Sequence, residues 1–126
     1  KGDLYADSYD EIMELADIND STRFLGHIPK VSLVKGDAVE TIPVFIEENS
    51  HLLISLLFMD FDLFDPTKIA LENFLPRMPK GAVIAFGELD YAECPGETLA
   101  VLEKLNLKEL KLKRVTYDTT RCYALI

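Results

Sequence analysis

Residues 52–62 read LLISLLFMDFD, an apolar run that ends in two aspartates. Among residues 52–59 only Ser55 is polar, a pattern that predicts a strand buried on both faces, in a parallel sheet covered by helices. The run is far too short for a membrane-spanning helix, which needs about 20 apolar residues. A second continuous apolar run, residues 82–86, predicts a neighbouring strand of the same sheet.

The residues between the two apolar runs predict one connecting helix. Asp65 followed by Pro66 is a good N-cap and first helical residue. Apolar side chains then recur at helical spacing, at Leu71, Phe74, Leu75 and Met78. Pro76 and Pro79 limit this helix, and Gly81 starts the next element. A strand, a helix and a second strand in this order favour a parallel pair.

On the amino-terminal side the sequence predicts a helix, a strand and a second helix. Capping-box spacing from Ser8 predicts a helix over residues 8–18. The β-branched run at residues 31–34 predicts a short strand. The same capping spacing from Asp37 predicts a helix that reaches residue 49, either with Pro43 in its first turn or with a later start.

On the carboxyl-terminal side the sequence predicts a helix and an antiparallel hairpin. Pro95 opens the helix, and three leucines are expected to face inward, at Leu99, Leu102 and Leu105. Residues 109–113 alternate leucine with charged residues, as in a half-exposed edge strand, and a turn at 117–120 joins them to an apolar strand, 121–126. The order α-β-α-β-α-β-α-β-β predicts a three-layer α/β fold with a mostly parallel sheet and one antiparallel strand at its end.

Size and charge narrow the class of protein. The 126 residues fit a single domain, 1–126, and 22 acidic against 13 basic residues give a net charge of −9. A surface this acidic repels phosphate backbones and anionic lipids, so we expect neither nucleic acid nor a membrane as partner. No secretion signal is visible, and Cys94 and Cys122 are too few for a disulfide framework. We therefore expect a cytoplasmic protein with free thiols.

Acidic residues follow each of the three strands that are expected to be parallel. Asp37 follows the first, Asp60 and Asp62 the second, and Glu88 the third. Because ligands of open α/β sheets bind beyond the carboxyl ends of the strands, these acids predict a site for a cation or a hydroxyl-rich ligand. The alternative is that they cap the following helices, for which Asp37 is well placed. The glycines are too widely spaced for a dinucleotide-binding loop or a P-loop.

Several of these motifs together resemble the macrocin O-methyltransferase family, bacterial sugar methyltransferases of the class I S-adenosylmethionine-dependent type. The resemblance is carried by residues 56–90, LLFMDFDLFDPTKIALENFLPRMPKGAVIAFGELD, and by residues 95–103, PGETLAVLE. The shared pattern is Asp-x-Asp-x-aromatic, Pro-Thr, a helix, Pro-x-x-x-x-Gly, an apolar strand, acids and Pro-Gly-Glu. Residues 31–43, VSLVKGDAVETIP, also look like the family's third strand and the helix after it.

The resemblance implies a Rossmann-like methyltransferase sheet and Mg²⁺-assisted methyl transfer from S-adenosylmethionine to a sugar hydroxyl. It implies that Asp60 and Glu88 bind the metal, that Asp62 is the catalytic base, and that Asp37 lies near the adenine of the cofactor. The implied partner is a small-molecule sugar or nucleotide-sugar acceptor. This chemistry needs an oriented acceptor and removal of a hydroxyl proton, which a carboxylate and a divalent ion supply.

The chain departs from the family pattern in two ways. Gly87 stands where the family usually has an aspartate, which leaves the metal site one carboxylate short and puts Mg²⁺ in doubt. The glycine-rich loop after the family's first strand, and the acid after its second, are absent. The chain therefore resembles the C-terminal part of the domain, lacking the first two strands. We expect it to be inactive alone and, with one side of strand 52–60 uncovered, to form a homo-oligomer.

Three other interpretations of the acidic motif stay open. A glycosyltransferase of the Asp-x-Asp type would use the two acids to hold Mn²⁺ and a nucleotide sugar. A haloacid-dehalogenase-like phosphatase also places Asp-x-Asp at a strand end, but Leu63-Phe64 replaces the expected Gly-Thr. The third is a non-catalytic, truncated α/β module with a role in assembly, which the missing cofactor loop and Gly87 both favour.

Overall fold

The structure, a computed structural model, describes residues 8–126. Contacts between Cα atoms divide the described residues into two units, which meet between residues 35 and 36 of the sequence. Over the described range no helix is long and apolar enough to cross a membrane. The helices of this range are α1 (Tyr9–Ser21), α2 (Ala38–Glu48), α3 (Phe64–Phe74) and α4 (Gly96–Lys104), and its strands are β1 (Leu56–Met59), β2 (Val83–Phe86), β3 (Lys113–Arg114) and β4 (Cys122–Leu125).

The strands form one mixed sheet in the order β1-β2-β4-β3. β1 and β2 pair in parallel, with Met59 opposite Phe86. β4 runs antiparallel to both of its neighbours, β2 and β3. The predicted adjacency of the two apolar strands, and the antiparallel strand beside the second of them, are therefore confirmed. β1 lies at the edge of the sheet formed by the described residues.

The prediction that the first apolar strand is buried on both faces was wrong. In β1, Leu57 and Met59 are buried, whereas Leu56 and Phe58 are 62% and 51% exposed. Side chains alternate between the faces of a strand, so one face of the sheet is covered and the other is open. The open face continues across the sheet, because Leu56 lies opposite Val83, which in turn lies opposite the half-exposed Leu125.

The covered face of the sheet packs against the helices of residues 36–126. Its buried strand residues join Ile42 of α2, Leu71 of α3 and Val101 of α4 in one hydrophobic cluster. The predicted inward face of α4 is partly wrong, because Leu99 and Leu102 are 52% and 58% exposed while Leu105 is packed at the edge of the cluster. The helix instead buries Ala100 and Val101, together with a glutamate at position 97.

Three helices differ in detail from the sequence prediction. Ser8 precedes α1, but its side chain makes no capping bond, and the helix continues to Ser21. α2 is capped by Asp37 as expected, yet Pro43 lies beyond the first turn. α3 begins at Phe64 and not after Asp65, and Pro66 still falls in the first turn, where no N–H is needed. The Thr67 hydroxyl donates to the Leu63 carbonyl at 2.7 Å.

Two predicted strands also differ from the structure. Residues 31–34 form no strand and pair with no other strand of the described residues, and hydrogen bonding to such a partner is what stabilises a strand. The edge strand of the hairpin begins at Lys113 and not at 109, since Glu109 N–H closes a turn onto the Asn106 carbonyl at 3.0 Å. The hairpin turn itself is confirmed. In this turn the Asp118 carboxylate accepts hydrogen bonds from the backbone N–H groups of Thr120 and Arg121. These bonds, followed by those from the side chains of the same two residues, lower the pKa of Asp118.

Candidate functional site

Three carboxylates lie together beyond the carboxyl ends of β1 and β2. One oxygen atom each from Asp60, Asp62 and Glu88 lies within 4.8 Å of the other two. Asp60 is exposed, and the other two side chains are partly buried. The structure thus brings together the three acids that the sequence placed at these strand ends, which we call the carboxylate cluster. Their assignment as metal ligands and catalytic base stays a prediction.

A tight turn after β1 presents Asp60 and Asp62. Leu63 N–H donates to the Phe61 carbonyl at 2.6 Å and closes a three-residue turn around Asp62. Asp62 has a φ of 59°, in the left-handed region that few residues other than glycine adopt, although aspartate tolerates it better than most. Backbone held in such a region costs about 1 to 3 kcal/mol and is concentrated at functional sites.

Gly87 gives Asp60 the space for its side chain. A Cβ atom at position 87 would lie 1.9 Å from Oδ1 of Asp60, and Gly87 N–H donates to the Met59 carbonyl at 2.8 Å. The Asp60 carboxylate therefore occupies the room that a side chain at 87 would need. The departure from the family pattern at this position is coupled to the orientation of Asp60.

Behind the carboxylate cluster lies a fourth acid, Glu97, in the first turn of α4. Its side chain is completely buried, and its Oε1 accepts the backbone N–H of Glu88 at 3.1 Å. Its Oε2 has no hydrogen-bond partner among the described residues. Burial, and then the neighbouring charges of Asp60 and Asp62, raise the pKa of Glu97 to about 7, although the N–H groups of Glu88 and Phe61 favour its charged form.

Close packing at Gly96 sets α4 against the turn after β1. A Cβ atom on Gly96 would lie 2.5 Å from the Phe64 nitrogen and 2.6 Å from the Asp62 carbonyl oxygen. Both contacts are with backbone, which cannot move aside as a flexible side chain can. Glycine at this position therefore allows the start of α4 to touch the same turn that carries the carboxylate cluster.

The loop from Glu88 to α4 adds a cavity and a thiol to this region. The cavity has a volume of about 140 Å³ and is lined by Asp90, Tyr91, Ala92, Pro95 and Thr98. Desolvation, and then the carboxylates of Asp62, Glu88 and Glu93, raise the pKa of the Cys94 thiol. Cys94 and Cys122 are both free, as expected. The negative field of the carboxylate cluster therefore reaches into this loop.

Asp37 is placed differently from the other predicted site residues. It is the N-cap of α2, and one of its carboxylate oxygens accepts the Val39 N–H at 2.9 Å. It is not a member of the carboxylate cluster. The capping role considered for Asp37 is thus observed, and its role near a cofactor stays a prediction.

The chemistry of the carboxylate cluster suits a divalent cation. Three anionic oxygens within 4.8 Å repel one another, and a cation placed between them removes that repulsion. Hard oxygen ligands are those that Mg²⁺ prefers, with water or substrate oxygens completing its shell.

Comparisons with known proteins identify methyltransferases as structural neighbours of this chain. The scan of protein-family models and the search of curated proteins found no match. Two solved structures of CalS11 do match. One, an apo structure described as a TDP-rhamnose 3'-O-methyltransferase in calicheamicin biosynthesis, has 34% identity and a TM-score of 0.88 over 92% of this chain. The other, described as a calicheamicin methyltransferase, has 32% identity and a TM-score of 0.90 over 97%.

The fold is therefore that of a methyltransferase, as predicted. Its described sheet is mixed, because β1 and β2 are its one parallel pair, where a mostly parallel sheet was expected. The structural neighbours are sugar O-methyltransferases, which supports that family and does not single out the macrocin enzymes. The chain spans about half the length of the CalS11 chains, 50% and 48%. These matches agree with a partial methyltransferase domain.

Two features of this site were missed by the sequence interpretation. Glu97 was noted only as part of the Pro-Gly-Glu motif, and the loop cavity was not anticipated. A glutamate is rarely buried without a charged partner, so residue type alone predicts an exposed side chain. The signal that could have identified Glu97 is its place directly after Gly96, at a helix start that must pack closely.

Proposed function

We propose that this chain is part of an S-adenosylmethionine-dependent O-methyltransferase that acts on a sugar hydroxyl with Mg²⁺ assistance. The observation that carries the proposal is the match to a TDP-rhamnose 3'-O-methyltransferase at 34% identity over 92% of the chain. The carboxylate cluster supports it, because it lies where ligands of open α/β sheets bind. The substrate class is a sugar or nucleotide sugar.

Within this proposal, the carboxylate cluster divides into metal ligands and a base. Asp60 and Glu88 hold the cation, and Asp62 accepts the proton that the acceptor hydroxyl loses. When bound, Mg²⁺ supplies positive charge that lowers the pKa of that hydroxyl. A carboxylate is a weak base, so Asp62 acts only on a hydroxyl that is oriented and acidified.

The loop cavity is the proposed place for part of the acceptor. Its lining offers the carboxylate of Asp90 and the hydroxyls of Tyr91 and Thr98, groups that hydrogen-bond to sugars. The Thr98 hydroxyl already accepts Asp90 N–H at 2.8 Å, which holds the lining in place. The lining begins two residues after Glu88, so a sugar bound here extends from the carboxylate cluster.

The cofactor would supply the methyl group, and this chain offers it few contacts. The only residue proposed to approach it is Asp37, one of whose oxygens caps α2. The family's glycine-rich loop and ribose-binding acid do not occur in the 126 residues. We therefore propose that this chain carries the metal and acceptor side of the site and binds S-adenosylmethionine weakly by itself.

A binding experiment on the ¹⁵N-labelled chain tests the proposal. TDP-rhamnose is added with and without Mg²⁺, and backbone amide shifts are followed by NMR. We expect Mg²⁺-dependent shifts at residues 60–64 and 88–92, with the nucleotide sugar recovered intact. Release of TDP would favour a glycosyltransferase, and the absence of any shift would contradict an acceptor site on this chain.

The open face of the sheet favours a second candidate function, a non-catalytic module with a role in assembly. Leu56, Phe58 and Leu125 are each more than half exposed on this face. Apolar residues gathered on one face are typical of a surface that is covered by another element or chain. This interpretation predicts self-association of the chain without Mg²⁺-dependent sugar binding.

A further inference from the structure

The burial of Glu97 lowers the stability of the folded chain. Its carboxylate is completely buried, and only one of the two oxygens has a hydrogen-bond partner among the described residues. Burying a carboxylate with one unpaired oxygen costs free energy that an apolar side chain of similar size would not cost. Packing of α4 against the sheet therefore does not require a carboxylate here.

The contacts of Glu97 link the two segments that carry the carboxylate cluster. Its Oε1 accepts the backbone N–H of Glu88, the ligand that follows β2. Directly before it lies Gly96, on which an added Cβ atom would lie 2.6 Å from the carbonyl oxygen of Asp62 in the turn that follows β1. One short segment of α4 thus touches the backbone at both strand ends.

We propose that Glu97 is a positioning residue of the carboxylate cluster. Its buried carboxylate holds the backbone at Glu88, so that the Glu88 side chain faces Asp60 and Asp62 across the ends of β1 and β2. The inference rests on the proposed function, in which these three acids bind Mg²⁺. Groups that orient metal ligands in this way commonly change metal affinity by about 10 to 100-fold when they are removed.

The two substitutions Glu97→Gln and Glu97→Met separate positioning from packing. Glutamine keeps an oxygen that can accept the Glu88 N–H, and methionine keeps the length and shape of the side chain but removes the acceptor. Glu93→Met is the matched control, because Glu93 is an exposed acid in the loop between Glu88 and α4 and lies outside the carboxylate cluster. Glu97→Asp, which withdraws the acceptor and keeps the charge, replaces the methionine variant if that variant does not fold.

Two measurements on the ¹⁵N-labelled 126-residue chain give independent results. Amide hydrogen exchange at Glu88 reports whether Glu97 holds the backbone, and Mg²⁺ titration followed by the amide shifts of residues 60–62 and 88 reports affinity. We expect Glu97→Gln to keep Glu88 protection and to bind Mg²⁺ within about threefold of wild type, and Glu97→Met to lose the protection and bind at least about tenfold more weakly. The control variant should match wild type.

Unchanged Glu88 protection and Mg²⁺ affinity in a folded Glu97→Met variant would overturn the positioning role. Equal loss in the glutamine and methionine variants would also overturn it, because the accepted N–H would then not be what matters. If wild type shows no response to Mg²⁺, the metal part of the proposed function fails, and the exchange at Glu88 alone decides whether Glu97 holds this backbone.

Discussion

Burial of Glu97 should make the stability of the chain depend on pH between about 4 and 8. The pKa of this carboxyl rises from its ordinary value of 4.5 to about 7 in the folded protein, with burial as the main cause. The folded state therefore holds a proton that the unfolded state has already released. Stability from this group is complete below the unfolded pKa and is lost as the pH rises through the folded one.

The size of the effect follows from the change in proton affinity. Each tenfold change in proton affinity is worth about 1.4 kcal/mol, so a pKa near 7 in place of 4.5 means a loss of about 3 kcal/mol between pH 4 and pH 8. Glu97→Gln removes this titration. The difference in unfolding free energy between wild type and Glu97→Gln should therefore fall by about 3 kcal/mol over that range.

Urea unfolding at a series of pH values, with a chelator present, measures this difference. The chelator matters because a cation in the carboxylate cluster would favour the charged form of Glu97. Glu47→Gln, at an exposed position of α2, is the control and should follow the wild-type curve. Parallel curves for wild type and Glu97→Gln would refute the reasoning, since they would mean that Glu97 titrates as it does in water.

Three further predictions follow from the site and the sheet. Gly87→Asp should tighten Mn²⁺ binding relative to Gly87→Asn, because both variants must displace Oδ1 of Asp60, 1.9 Å from the new Cβ, and only aspartate adds a charged oxygen ligand; equal or weaker binding by the aspartate variant in a relaxation titration would contradict a charge effect. Calorimetry with S-adenosylmethionine should show weak or no binding, because Asp37 offers only one or two hydrogen bonds worth about 1 kcal/mol each, and a micromolar dissociation constant, which needs about 8 kcal/mol, would overturn this. Light scattering should show concentration-dependent self-association that Phe58→Ser reduces and Leu99→Ser, at an equally exposed position on α4, does not; a monomer at every concentration would exclude an assembly surface on the open sheet face.

The central part of the fold was predictable because two long apolar runs joined by one helix admit few arrangements. The parallel pairing of β1 with β2, and β4 antiparallel beside β2, followed from those runs and from the hairpin turn. The prediction of a strand at residues 31–34 was wrong because a β-branched run forms a strand only beside a partner strand. Intrinsic β-propensity gives no information about such a partner.

The carboxylate cluster was predictable from the topology of the sheet, whereas the buried Glu97 behind it was not. Parallel strands end at the same edge of a sheet, so Asp60, Asp62 and Glu88 had to come close. The inward face of α4 was partly mispredicted because apolar periodicity assigned Leu99 and Leu102 to the core, whereas the helix buries Glu97. A pattern of apolar residues cannot predict a buried glutamate, because it assigns only apolar side chains to the core.

Titration of the chain with Mn²⁺, followed by the electron paramagnetic resonance of the free ion, tests the central claim most directly. The variants are Asp60→Asn, Asp62→Asn and Glu88→Gln, with Asp65→Asn as a control because Asp65 lies outside the carboxylate cluster. The account predicts that wild type and Asp65→Asn bind alike and that each cluster variant binds at least about tenfold more weakly, or 1.4 kcal/mol. Equal binding by all folded variants, or none by wild type, would contradict it.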